Sequence, residues 1–160
     1  MAGTERGILD HTLSSKSIMH VWLNGERIGE IGLNAAVAGA FGIPTIMLSG
    51  DDVACEEAQD LLGLLGPIET VAVKRSLTRG CGLCLSPPKA QELIREAATR
   101  ALRRVSEFRP YQPKPPLELR FEYLLNTQAE QAARRPGADR ADERTVVYRG
   151  DDFIQLYCYR

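Results

Sequence analysis

The sequence has no surplus of charge of either sign: twenty Lys and Arg stand against twenty-one Asp and Glu, a net charge of −1. Partners such as nucleic acid or an anionic membrane surface attract a chain through an excess of Lys and Arg, so neither is expected here. No apolar run approaches the length of a membrane span. The opening "MAGTERGILD" lacks the charged-then-apolar pattern of a secretory signal, so export by that route is not expected. Cysteine is sparse, and the four present read as reduced thiols of a cytoplasmic protein. No repeat or low-complexity tract stands out. What remains is a chain of 160 residues, long enough for one domain with a sizeable core.

The pattern along the chain alternates strands and helices. "SIMHVWL" (17–23) alternates and meets Asn24-Gly25, the strongest short hairpin signal, with "ERIGEI" (26–31) as the return strand. "GLNAAVAGAFG" (32–42) is compatible with a helix, and "PTIMLSG" (44–50) is a continuous apolar run expected to be a strand buried on both faces. A helix is predicted over 51–66, which opens with acids, and a strand over 68–76. Ser86 and Pro87 predict the start of the longest helix, whose apolar positions run from Ala90 to Val105 at helical spacing. "RPYQPKPP" (109–116) must be extended, and a strand, a short helix, a strand and an amphipathic terminal stretch follow it. The expectation is an α/β fold, a mixed layered sheet with flanking helices. Residues 1–108 would form its main part, 109–116 a connector, and 117–160 a small α/β segment of the same domain or a subdomain.

The stretch 6–35 holds both histidines, the tryptophan and a glutamate set among glycines and apolar residues. A two-residue turn at Asn24-Gly25 sets Leu23 opposite Glu26, Val21 opposite Ile28 and Met19 opposite Glu30. Glu30 then shares the apolar face, while His20 lies on the other with Trp22 and Arg27. A carboxylate on an apolar face needs an offset. It can be an arginine, backbone amides, an early end to the pleat, or a bound cation. His20 reads as a packed or surface histidine. His11, in a hydroxyl-rich loop, reads as a surface residue or as a general acid or base.

Two further motifs invite attention. Cys81 and Cys84 form a C-x-x-C, the spacing of a redox pair or half a zinc site. No second such pair exists, Cys55 and Cys158 are isolated, and both histidines are distant in sequence, so incidental loop thiols are the better reading. Gly-Asp-Asp occurs at 50–52 and 150–152, each pair of acids fitting a helix N-cap. Asp51 and Asp52, at the carboxyl end of a predicted strand, keep a minor claim to a substrate pocket.

Taken together, "AGTERGILDHTLSS", "WLNGERIGEIGLNAAVAGAFGIPTIMLSGDD", "AVKRS" and "CLSPPKA" closely resemble the D-aminopeptidases of the DppA type, zinc peptidases associated with dipeptide transport. The resemblance runs through essentially the whole chain and is strongest over residues 2–52. It implies hydrolysis of short peptides with an N-terminal D-residue by a pair of zinc ions, in a ring-shaped homo-oligomer. It assigns Glu30 to the metal and His11 to catalysis outside the metal shell, as proton donor or charge stabiliser. His20 and the C-x-x-C match no family motif.

The departures matter equally. The family's acidic S-x-D-x-E-G segment and its two ligand histidines do not occur in these residues. The chain therefore resembles the family's C-terminal portion, with an incomplete N-terminal part. One carboxylate cannot hold two zinc ions, so the expectation is a truncated chain, inactive alone. The alternative is a non-catalytic remnant that contributes oligomerisation or peptide-binding surface.

Overall fold

In the computed structural model, which describes residues 1–159, the strands form two sheets. β1 (Ile18–Leu23) and β2 (Glu26–Arg27) make the first hairpin. Its turn is closed by Asn24 and Gly25, with φ of 53° and 85°, the left-handed pair that a tight hairpin requires. Leu23 pairs with Glu26 and Trp22 with Arg27 as expected, and the Ile28 amide still donates to the Val21 carbonyl at 2.9 Å. There the strand stops. Gly29, extended, caps the helix α1 (Glu30–Ala40), so Glu30 opens a helix and does not face Met19. The expected return strand to residue 31 is corrected accordingly. A carboxylate in a first helical turn faces unpaired backbone N–H groups, which favour negative charge.

β3 (Met47–Asp51) leads into α2 (Asp52–Leu62), and β4 (Glu69–Thr78) turns back into β5 (Cys81–Cys84). The C-x-x-C is thus an edge strand paired antiparallel to β4, not a loop. β3 pairs parallel with β4 and is itself an edge of the order β3-β4-β5. Its residues are half-buried or exposed, which corrects the strand expected to be buried on both faces. α3 (Pro87–Arg103) lies where its periodicity placed it. Ser86 is its N-cap residue, but the side chain makes no capping bond. Pro87 and Pro88 leave the first two positions without N–H donors.

After the proline-rich segment come β6 (Leu117–Tyr123), α4 (Asn126–Ala132), β7 (Ala138–Arg140), β8 (Thr145–Gly150) and α5 (Phe153–Tyr159). β7, like β5, was not expected from the sequence. The second sheet has the order β2-β1-β6-β8-β7, all antiparallel. Its inner face, with Val21, Leu119, Phe121 and Tyr148, packs on α1, α4 and α5. Its other face carries ion pairs, among them Arg149 with Glu118 at 2.9 Å and Arg144 with Glu122 at 3.0 Å. α2 and α3 pack against the three-stranded sheet, and α1 meets α2. No helix among the described residues is long and apolar enough to cross a membrane.

Candidate active site

Residues 1–17 contain no helix or strand, yet they are fixed by many bonds. The segment folds as successive turns, with Arg6, Leu9 and Leu13 at φ of 62°, 52° and 62°. Non-glycine residues hold such angles only where the surroundings stabilise them. Here the Ile8 amide donates to Asp51 Oδ2 at 3.0 Å, and the Leu9 amide donates to the Arg79 carbonyl at 2.8 Å. The Ser76 hydroxyl donates to the Arg6 carbonyl, and Arg79 pairs with Asp10 at 2.7 Å. Inside the segment, buried Thr12 accepts from the Ala2 amide at 3.0 Å. The loop is therefore anchored to α2 and to the β4–β5 hairpin.

That anchoring carries His11 to the first turn of α1. His11 Nε2 stands 3.6 Å from Glu30 Oε2, with both side chains nearly half exposed. His11 Nδ1 lies 2.6 Å from the Leu9 carbonyl. A carbonyl only accepts, so Nδ1 carries the proton and donates. The other ring nitrogen, Nε2, is then turned toward Glu30 and the cleft. The cleft is about 190 Å³ in volume and is lined also by Leu9, Ile31, Val53, Asp51 and Glu57.

The other sequence candidates separate cleanly. His20 lies outside this cleft. Its Nδ1 is 2.9 Å from Glu122 Oε2 and its ring meets Trp22 edge-on at 5.5 Å. Asp51 lines the cleft, but its oxygens are engaged: Oδ1 accepts from the Ala54 amide at 2.7 Å while Oδ2 holds Ile8. Asp52 Oδ1 accepts from the Ser76 amide at 2.8 Å. That bond is the main cause holding the Asp52 carboxyl below its ordinary 3.8, against a smaller opposing effect of burial. Cys81 and Cys84 are free and exposed, away from the cleft, and Cys55 is buried, which pushes its thiol up. Glu57 is the residue that sequence reasoning missed. Its Oε2 meets the Met1 nitrogen at 2.6 Å beside the cleft. The signal was present, since Val53, Ala54 and Glu57 are one helical face of α2.

These features define an α/β chain with an imidazole and a carboxylate facing one another at the start of a helix. The family model of the D-aminopeptidases, peptidase family M55, matches residues 1–159, and the chain belongs to that family. The D-aminopeptidase of Bacillus subtilis (strain 168) is 34% identical over 152 residues, which cover 94% of this chain and 54% of that protein. A solved structure, the Zn-dependent D-aminopeptidase DppA from Bacillus subtilis, a self-compartmentalizing protease, superposes with a TM-score of 0.91 at 32% identity. It covers 99% of this chain and 57% of the solved chain. The chain thus spans about half the length of each of these relatives.

The zinc of that relative can be tested against the donors present. Among the described residues no group of three or more His, Cys, Asp or Glu side chains could hold a metal ion. A zinc ion takes about four ligands. Glu30 offers one carboxylate, and the residues described here do not by themselves fit a zinc site.

Proposed function

We propose that this chain supplies one part of the catalytic centre of a D-aminopeptidase acting on short peptides with an N-terminal D-residue. The observation that carries the reading is the His11–Glu30 approach of 3.6 Å in a chain that the family model matches from residue 1 to 159. In this reading Glu30 is one ligand of a zinc pair whose other donors lie outside these residues. His11 acts beside the metal. Its Nδ1–H bond to the Leu9 carbonyl fixes the ring, and Nε2, once it has taken up a proton, gives that proton to the leaving amine or stabilises developing negative charge. The active assembly is a cytoplasmic homo-oligomer.

The donor count also supports a second reading for the chain by itself: without the remaining ligands it is inactive and contributes surface only. Both readings predict that the purified chain does not hydrolyse D-alanyl-D-alanine when zinc is added. Turnover by the chain alone would overturn the incomplete-centre reading. A chimera separates the two. This chain replaces the matching half of the Bacillus subtilis D-aminopeptidase, and hydrolysis and zinc content are measured. Under the catalytic reading the chimera turns over, His11→Ala lowers kcat by roughly 10²–10⁴-fold with zinc retained, and Glu30→Gln loses zinc. A chimera that folds and binds zinc, but is indifferent to His11→Ala, sinks the role given to His11.

A further inference from the structure

Arg79 stands in the turn between β4 and β5, yet it holds residues 9 and 10 from both sides. Its carbonyl accepts from the Leu9 amide at 2.8 Å. Its Nε meets Asp10 Oδ1 at 2.7 Å, and a terminal guanidinium nitrogen reaches the Asp10 carbonyl at 3.4 Å. The second carboxylate oxygen of Asp10, Oδ2, accepts from the Gly3 amide at 2.7 Å. The residue before His11 is thus a carboxylate only 15% exposed, with both oxygens engaged.

These bonds bracket a single peptide unit, the one that joins Leu9 to Asp10. The unit before it is held at the Leu9 N–H, and the unit after it at the Asp10 carbonyl. Each unit is planar, so holding both neighbours leaves the middle one little freedom to turn. Its N–H faces the Gly7 carbonyl at 3.4 Å, and its carbonyl takes the His11 Nδ1–H bond at 2.6 Å. Leu9 needs such holding. It is left-handed, at φ 52°, and 60% exposed, so packing does little to offset that conformation. With the carbonyl turned away, neither ring nitrogen of His11 would be singled out for the hydrogen.

We propose that Arg79, acting through Asp10, is a positioning residue for His11. It fixes the peptide whose carbonyl draws the hydrogen to Nδ1, and so turns Nε2 toward Glu30. Arg79 does not line the cleft; its action reaches the imidazole through the loop. An ion pair with an exposed partner adds little to global stability, and Arg79 is 61% exposed. What the pair sets is geometry. A reacting group displaced by about 1 Å can cost about 10²-fold in rate. The value of the pair to catalysis rests on the proposed function; the placement of the hydrogen does not.

The test uses the 160-residue chain with isotope-labelled histidine, its two rings told apart by His20→Gln. Ring-nitrogen resonances are recorded above the ordinary histidine titration range, where a nitrogen bearing hydrogen and a bare one are well separated. His11 Nδ1 is expected at the hydrogen-bearing position in the native chain. In Arg79→Gln, which keeps the main-chain bond to Leu9 and loses the guanidinium, it shifts toward the bare position. Asp10→Ala shifts it further, and Arg79→Lys, whose ammonium still reaches Asp10, restores it in part. Arg149→Gln, which breaks two ion pairs of the five-stranded sheet, leaves it unchanged. Arg79 is exposed, so its variants keep the fold even if Asp10→Ala loosens the loop. In the chimera, Arg79→Gln is expected to lower kcat by about 10- to 10²-fold with KM and zinc content unchanged. The proposal is overturned by a native His11 with hydrogen on Nε2, by an Nδ1 resonance indifferent to Arg79→Gln, or by an equal shift in Arg149→Gln. A shifted resonance with kcat unchanged keeps the positioning role and counts against the catalytic role of His11 alone.

Discussion

In the five-stranded sheet, Leu119, Val146 and Tyr148 are wholly removed from solvent, whereas in the other half Leu64, Leu83 and Leu102 are 86%, 57% and 64% exposed. Both regions are sheets with helices against them, but only the first closes a core from both sides of the chain. Its inner face meets three helices, α1, α4 and α5. The buried apolar residues around the three-stranded sheet are smaller, chiefly Val53, Cys55, Ala58, Leu62, Val71, Ala97 and Ala101. The difference teaches where stability and chemistry reside. The closed core holds the start of α1 and hence Glu30, while the open half anchors the loop that brings His11 to it.

The comparison can be broken most directly in the closed half. Leu119→Ala is expected to cost about 2–5 kcal/mol, since removal of a fully buried Leu side chain leaves a cavity. Denaturant unfolding reads it. Gly39→Ala follows. A Cβ there would collide with the Tyr111 carbonyl, and overpacking of this kind costs about 1–3 kcal/mol. At the seam, Asp51→Ala removes the cap of α2 and the acceptor for Ile8, for about 0.5–2 kcal/mol. It should also broaden the amide resonances of residues 6–12 while those of β6 stay sharp. In the open half, Leu83→Ser should change stability by less than about 0.5 kcal/mol. A large loss there would mean that the exposed residues of β5 are covered in the working protein.

A pH measurement sharpens the same contrast. The Asp52 carboxyl is held below its ordinary 3.8, first by the Ser76 amide. A group with a depressed folded-state pKa binds fewer protons folded than unfolded. Its contribution is therefore complete above the ordinary carboxylate range and is lost as the pH falls through 3.8 toward the folded value. Asp52→Asn should flatten that part of the acid limb in stability measured against pH. An acid limb unchanged by the substitution would show that the α2-to-β4 bond adds nothing.

The closed half was also the more legible. Asn24-Gly25 demands left-handed angles, and period-two apolarity over β1 and β6 leaves little choice of element, as period-3.6 apolarity does for α3 in the open half. The sequence misled where glycine and small residues blur both periods. In "ERIGEIGLNAA" alternation continues past Ile28, so a strand to residue 31 and a helix from Glu30 are locally similar. Contact of α1 with the core, which no local pattern records, decided for the helix. β3 reads as an interior strand because it is apolar, but its neighbours in space determine its burial. The pairing of His11 with Glu30 was not legible from spacing. It depends on left-handed residues in 6–13 and on anchors from Asp51, Ser76 and Arg79, all distant in sequence. The family resemblance supplied the two names; only the fold supplied the distance.

The Asp51 side chain has a consequence for inheritance. One oxygen caps α2 and the other holds Ile8 in the loop that ends at His11, so the imidazole takes its position through a bond whose two ends are forty-three places apart. Relatives can vary the turns between these points in length and composition and keep His11 in place. A lineage that replaces the aspartate must find another acceptor for the amide of residue 8, whereas residue 8 itself can be any residue that keeps its backbone N–H.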